Sequence, residues 1–430
     1  MASITKRGDS YRFTVSCGFD EKGKHLQKTM TYHPQARSPK AIEKEVAEAA
    51  RDFENRVLNG GYVSAEKLSF KEYAEIWKTQ YAEEQLTLSV RQGYYAILEH
   101  RVYPTLGNLP MLKIKTYHIQ GIIDEELKAG RAVTTVKRTL VIINSVMRFA
   151  YQQQVIDDNP CLRCSLPRKK AEKKPLQYWT VEQAKAFLDE LRTPYESVHK
   201  AHMRVLRSSG VEYAVPEYSE VHYTPFQYEV FFTLAIYGGF RRGELCALQW
   251  RDINFEDHTV SITRAFASTD NGQILKEPKT AAGIRKVALP RSCFNLLAQL
   301  KRQQQEYALK MNSAWEGKRG SAYDENFVFI QMDNGRAMCL QTPYHKFKQV
   351  IKQHNDKCER EEDKLPEITM HELRHTSATI LIAEGVNVET IAARLGHEDT
   401  RTTLNIYGHA IESKDREAAD KLEALFDGVN

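Results

Sequence analysis

The chain of 430 residues contains no uninterrupted run of about 18 apolar residues, which excludes a conventional membrane-spanning helix. Its opening, Met1-Ala-Ser-Ile-Thr-Lys-Arg-Gly-Asp9, has no apolar signal core. Cysteine is scarce: seven residues, an odd number scattered along the chain, yield no disulfide framework and suit a reducing compartment. Cys161 and Cys164 form a C-x-x-C pair without the second pair that a structural zinc site requires, and read as thiols near a linker. The expectation is a soluble, cytoplasmic protein with no membrane partner. Charge of one sign is also in small excess, 61 Lys and Arg against 56 Asp and Glu, leaving +5. Any phosphate binding must therefore rest on local clusters of Lys and Arg.

What is present is organised in three stretches, consistent with the two to four domains that this length allows. Residues 1–62 open with alternating strands, Tyr11-Arg-Phe-Thr-Val15 and His25 to Tyr32, joined by a turn at Asp20-Glu-Lys-Gly-Lys24. A helix then starts at Ser38-Pro39, with Pro in the first helical position, and stops at Asn59-Gly60-Gly61. Lys6, Arg7, Arg12, Lys22, Lys24 and Lys28 are expected to line the sheet, giving a small basic α+β unit able to enter a major groove.

Residues 66–168 read as all-α, with four helices expected. Phe70, Tyr73, Trp77 and Tyr81 form one apolar stripe; Val136, Leu140, Ile143, Met147 and Ala150 form another. Arg91, Lys113, Lys115, Lys137, Arg138 and Arg148 are its candidate phosphate contacts. A basic linker follows, Arg168-Lys169-Lys170-Ala-Glu-Lys-Lys174, with Lys169 and Lys170 suited to crossing a groove. From residue 175 onward the pattern is mixed and mainly helical. Thr180-Val-Glu-Gln183 is a capping box, strands fall near Thr259–Thr263 and Ile284–Leu289, and Ala418, Leu422, Leu425 and Phe426 share one face of a terminal helix.

Within this third stretch six residues recur in contexts that suit phosphoryl transfer. They are Arg241 in Gly238-Gly-Phe-Arg241-Arg-Gly-Glu244, Lys279 in Pro278-Lys279-Thr280, His371 and Arg374 in His371-Glu-Leu-Arg374-His375, His397 in Leu395-Gly-His397, and Tyr407 in Thr402-Thr-Leu-Asn-Ile-Tyr407-Gly. A tyrosine hydroxyl, with an ordinary pKa of about 10, is a weak nucleophile unless its target is made strongly electrophilic. Two guanidinium forks, Arg241 and Arg374, can hold the charge that builds on a pentacoordinate phosphorus. Lys279 can protonate the leaving oxygen. His371 lies one helical turn from Arg374, so both can reach one phosphate. The Leu395-Gly396 pair resembles a helix C-cap that leaves His397 on a loop facing the site. Glu244, one turn beyond Arg241, is suited to orienting that arginine. His375 and His409 are assigned no chemical part.

These strings, in this order, resemble the motifs of the tyrosine recombinase (phage integrase) family, and the resemblance runs from about Leu68 to the C-terminus. It implies a multidomain fold: a small α+β N-terminal domain that binds arm-type DNA sites, an all-α, SAM-like core-binding domain, and a mainly-α catalytic domain with a small β-sheet. It also implies that Tyr407 attacks DNA to leave a 3′-phosphotyrosine and a free 5′-hydroxyl, with a Holliday junction between successive exchanges. Bond energy stays in the covalent link, so no cofactor and no metal are expected. The implied partners are double-stranded DNA at core and arm attachment sites, further copies in a homotetramer, a directionality factor and a host DNA-bending protein. Residues 192–226 depart from the family pattern and suggest a hairpin that contacts DNA or a neighbouring subunit. The integrase of a phage or integrative conjugative element is the reading adopted. A chromosome-dimer-resolving recombinase and a type IB topoisomerase, which share the chemistry, are its alternatives.

One motif points elsewhere. His371-Glu-Leu-Arg-His375 matches the H-E-x-x-H string of zinc metalloproteases, in which two histidines bind the metal and the glutamate is the base. A third ligand is missing from the sequence pattern, and Arg374 would set a cation beside the zinc.

Overall fold

A computed structural model describes residues 2–19, 25–36, 38–58, 68–167, 177–205, 210–278, 281–401, 403–404 and 423. Lys22, Lys24, Lys169, Lys170, Lys279, Tyr407, His409 and nearly all of the expected terminal helix lie outside them. The chain divides into two compact units, residues 1–170 and 171–430.

The first unit contains two separate hydrophobic cores. One belongs to an antiparallel three-stranded sheet, Ser3–Arg7, Ser10–Phe19 and His25–Tyr32 in that spatial order, covered by the helix Pro39–Leu58. Phe13, Val15, Val46, Ala50 and Phe53 fill it. Because side chains alternate across a strand, register decides which basic residues face away from the helix. Lys28 pairs with Val15 and Lys6 with Tyr11, so both share the core-facing side of the sheet. Arg12 and Arg7 point the other way, opposite Thr5 and Ser10. Of the residues expected to line the sheet, Lys6 and Lys28 thus lie on its helix side, and Arg7 and Arg12 lie on the opposite face.

The other core sits in four helical rods. Phe70–Trp77 continues through a π turn, Lys78–Ala82, into Glu83–Gln85; Leu88–Ile97 does likewise through Leu98–Val102 into Tyr103–Leu106; Thr116–Lys128 and Val133–Gln152 are uninterrupted. Phe70, Trp77, Val136, Ile143, Met147 and Ala150 are fully buried, as their stripes predict. Ser69 and Glu72 make a capping box that starts the first rod. Lys137, Arg138 and Arg148 are exposed, whereas Arg91 is half-buried.

In the second unit the helix Phe226–Gly238 is the axis. Ten of its thirteen residues are buried, so it is apolar all round and not amphipathic. Phe231 meets Phe329 edge-on at a ring separation of 4.9 Å and Phe232 meets Phe347 tilted at 5.6 Å, and Trp179 and Phe187 close the same aromatic cluster. The predicted capping box at Thr180 and Gln183 starts the helix Val181–Arg192. The expected strands are Thr259–Ile262 and Arg285–Ala288, which pair directly with each other. Residues 265–276 form a second hairpin between them in sequence. The insert is a hairpin as expected, with Tyr195–His199 paired to Tyr218–His222 and His202–Val205 paired to Glu212–Val215. No described helix is long and apolar enough to cross a membrane.

Candidate active site

Two helix ends meet around one buried arginine. Phe226–Gly238 and Val388–Leu395 both terminate in a left-handed glycine, Gly239 at φ +61° and Gly396 at φ +68°. A helix C-terminus presents carbonyls with no intrahelical donor and a partial negative charge. Arg374, 2% exposed, donates Nη1 to Gly239 O at 2.9 Å and Nη2 to Leu395 O at 2.5 Å. Its charge is thus held by the carbonyl ends of two helices. Arg374 itself projects from Met370–Ala383, and His371 lies one turn before it on the same helix.

Arg241 stands at the start of the short helix Arg242–Cys246, with its side chain 40% exposed toward the cleft. Its Nη1 reaches Glu244 Oε1 at 2.8 Å, its backbone N–H reaches Glu244 Oε2 at 2.9 Å, and its Nη2 approaches Gly396 O at 3.4 Å. Glu244 thus holds Arg241 through both of its carboxylate oxygens, and it does more. Arg285, also buried, grips the same carboxylate bidentately at 3.1 and 2.8 Å, and ties it to the turn through Arg394 O at 2.8 Å. Burial raises the Glu244 pKa, but hydrogen bonds and charge from Arg285, then Arg241, outweigh it and leave the carboxyl below its usual range. Arg285 was not singled out as a site residue from sequence; the signal was its place just after the Pro278-Lys-Thr string, at the head of a strand.

His397 follows the Gly396 turn, which its own N–H closes by bonding Ala392 O at 3.0 Å. Its Nδ1 lies 2.8 Å from the hydroxyl of Thr403, a fully buried residue that sequence reading also passed over. That contact leaves Nε2 for a ligand. Burial, then the charges of Arg374 and Arg241, push the His397 pKa down to about 4. His371, at the open rim, is lowered by partial desolvation and then by Arg374 and Arg241. His375 stands edge-on to His371 with ring centres 5.1 Å apart, and is pushed down to about 4 by burial and then by His371 and Arg374. Burial first, and then the positive charge of the arginines, thus disfavours protonation of these imidazoles.

Arg241, His371, Arg374 and His397 are thus brought into one neighbourhood. Lys276, on the strand Gly272–Lys276, lines the same cleft as Arg241 and His397, directly before the segment that carries Lys279. Glu372, the supposed base of the zinc string, instead accepts the backbone N–H of Thr369 and caps its helix. Among the described residues the one grouping of three metal-capable side chains is His199, Glu220 and His222, in the insert hairpin, and it does not include His371 or His375.

An arginine pair anchored at helix ends, with histidines of lowered pKa beside it, is suited to phosphoryl transfer on a polyanionic backbone. The chain belongs to the phage integrase family, which its residues 179–414 match, with residues 70–165 matching the phage integrase central domain; it is a tyrosine-type site-specific DNA recombinase. It is 26% identical to the ICEBs1 integrase of Bacillus subtilis over 70% of this chain and 68% of that one. It is 24% identical to a "Tyrosine recombinase XerC-like" of Caldanaerobacter subterraneus over 97% of this chain and 96% of that one. Its fold is shared with the Tn1549 transposon integrase solved in complex with transposon right end DNA, at a TM-score of 0.60 and 20% identity, covering 83% of this chain and 99% of that one.

Proposed function

We propose that the chain is the integrase of a mobile element, a phage or an integrative conjugative element, and that it cuts and rejoins DNA through Tyr407. The observation that carries this reading is a carboxylate shared by two arginines, Arg241 and Arg285, with a third, Arg374, held on two helix-end carbonyls nearby and histidines of lowered pKa beside them. Such a cluster lacks one anion, and a scissile phosphate supplies it. In our reading Arg241 and Arg374 hold the non-bridging oxygens while Tyr407 Oη attacks phosphorus. The P–O5′ bond breaks, and Lys279 protonates the departing 5′-oxygen. His371, unprotonated at pH 7, accepts the proton that Tyr407 releases, and His397 donates to a phosphate oxygen as charge develops. One phosphoester is exchanged for another, so the reverse attack by a partner 5′-hydroxyl needs no nucleotide or metal.

Two duplexes have four strands to cut, and each chain brings one Tyr407, so the working assembly is a homotetramer that passes through a Holliday junction. We assign residues 1–62 to arm sites, 66–168 to the core site together with 175–430, and expect a directionality factor and a DNA-bending host protein to set the outcome. Arg91, Lys137, Arg138, Arg148, Lys169 and Lys170 are assigned to phosphate contacts. The nearly full-length match to the XerC-like relative supports chromosome-dimer resolution as a second reading, which differs in its DNA sites and not in its chemistry.

Tyr407→Phe tests the chemistry, since it removes only the nucleophilic oxygen. On a nicked suicide substrate the variant is expected to bind DNA as the parent does and to form no covalent adduct. A protein-linked band surviving in a denaturing gel refutes the assignment.

A further inference from the structure

The hairpin of residues 195–222 carries a cluster that recombination chemistry does not use. Its strands place Tyr195 opposite His222, Ser197 opposite Glu220, and His199 opposite Tyr218, so all six share one face. His199 Nε2 and His222 Nε2 lie 4.0 and 3.8 Å from Glu220 Oε2, and the three atoms fall within 4.8 Å of one another. Tyr218 stacks on His199 at 4.6 Å between ring centres and Tyr195 on His222 at 5.4 Å, holding both imidazoles with Nε2 inward. The Ser197 hydroxyl sits between them, 3.2 Å from one Nε2 and 2.7 Å from the other. A hydroxyl there can donate to one ring nitrogen and accept from the other.

We propose that His199, Glu220 and His222 form a Zn²⁺ site that clamps the stem of this hairpin. Metal–ligand bonds of about 2.0–2.2 Å put tetrahedral ligand atoms roughly 3.3 Å apart, so the cluster, whose ligand atoms lie within 4.8 Å of one another, must contract, with the exposed Glu220 side chain moving inward and the two imidazoles closing on each other as Ser197 leaves the space between them. Two imidazoles and a carboxylate suit zinc or a similar first-row ion, whereas magnesium and calcium prefer oxygen alone. Binding swings the Ser197 hydroxyl aside and sets both rings as Nδ1–H tautomers with Nε2 on the metal. The fourth position stays open to water. A two-stranded ribbon is marginal by itself, and the outer part of this one, His202–Val205, is exposed at every position. A metal that binds only the paired strands stabilises them by mass action.

The test uses the full chain, freed of metal by chelator, titrated with zinc chloride against a chromophoric competitor and separately with Co²⁺. The proposal expects one equivalent of zinc, visible Co²⁺ d–d bands, and slowed amide exchange in Tyr195–His199. In His199→Gln/His222→Gln, with its thermal transition retained, the bands and the slowed exchange are lost and affinity falls by more than about a hundredfold. His371→Gln/His375→Gln is expected to keep the equivalent. Equal binding by parent and hairpin variant, loss of metal in the His371/His375 variant, or no uptake with zinc in large excess overturns it. Covalent adduct formation in chelator is expected to continue, since arginines and not a metal grip the phosphate; its failure with zinc uptake intact would strike the proposed chemistry and leave the hairpin site standing.

Discussion

Glu244 is shared by two arginines of unequal freedom, one buried and locked, one open to the cleft. Removing the carboxylate strands Arg285 without its counter-charge, so Glu244→Ala is expected to cost about 3–5 kcal/mol of stability. Core-site DNA, by bringing a phosphate, should restore more of the Tm to this variant than it adds to the parent; equal shifts in a thermal melt would show that the phosphate does not face this cluster. The histidines give a second residue-scale expectation. For His397 the pKa is depressed from 6.5 to about 4, so the unfolded chain binds more protons in that interval. Stability contributed by the neutral ring is present above pH 6.5 and lost as pH falls toward 4. Melting curves across this range should therefore fall more steeply for the parent than for His397→Gln. Parallel profiles would mean that the ring is not desolvated beside the arginines.

At the scale of elements, the site depends on two helices ending in the right place. Gly396 adopts a left-handed conformation, and a Cβ there would lie 2.8 Å from Ala282 O and 3.0 Å from Arg285 Nη1. Gly396→Ala is expected to cost about 1–2 kcal/mol for the backbone alone. Because Arg374 and Arg241 both reach this turn, adduct formation on a suicide substrate should slow by more than DNA affinity weakens. A variant of unchanged cleavage rate would show that the turn only ends a helix. The strands of the N-terminal sheet make the same point about geometry: pairing with Val15 turns Lys28 toward the helix side, leaving Arg7 and Arg12 on the opposite face.

Over the whole molecule, the reading separates DNA selection from chemistry. Deleting residues 1–62 should spare adduct formation on short core-site DNA, because all six proposed catalytic residues remain, and should impair recombination between full attachment sites. Binding to an isolated arm site should vanish. Arg7→Ala/Arg12→Ala in the full chain should weaken that binding with a shallower dependence on salt, as fewer counterions are released. Unchanged affinity of the truncated protein for every site outside the core would assign this sheet another role.

The sequence by itself determined what depends on neighbours three or four residues away. The Thr180 capping box, the Pro39 helix start, the Gly396 C-cap, the apolar stripes of the helical rods and the order of the catalytic strings were all legible, because each is a local pattern with a local cause. The two strands of the first sheet were legible too, but not the edge strand Ser3–Arg7 or the register that turns Lys28 inward. Only the tertiary structure decided how the site is held. Arg285 meets Glu244 across 41 residues, and Arg374 meets Gly239 across 135. No periodicity encodes such pairs. They form because two buried helix ends and one buried carboxylate need cations, and the packed chain brings these two arginines within reach.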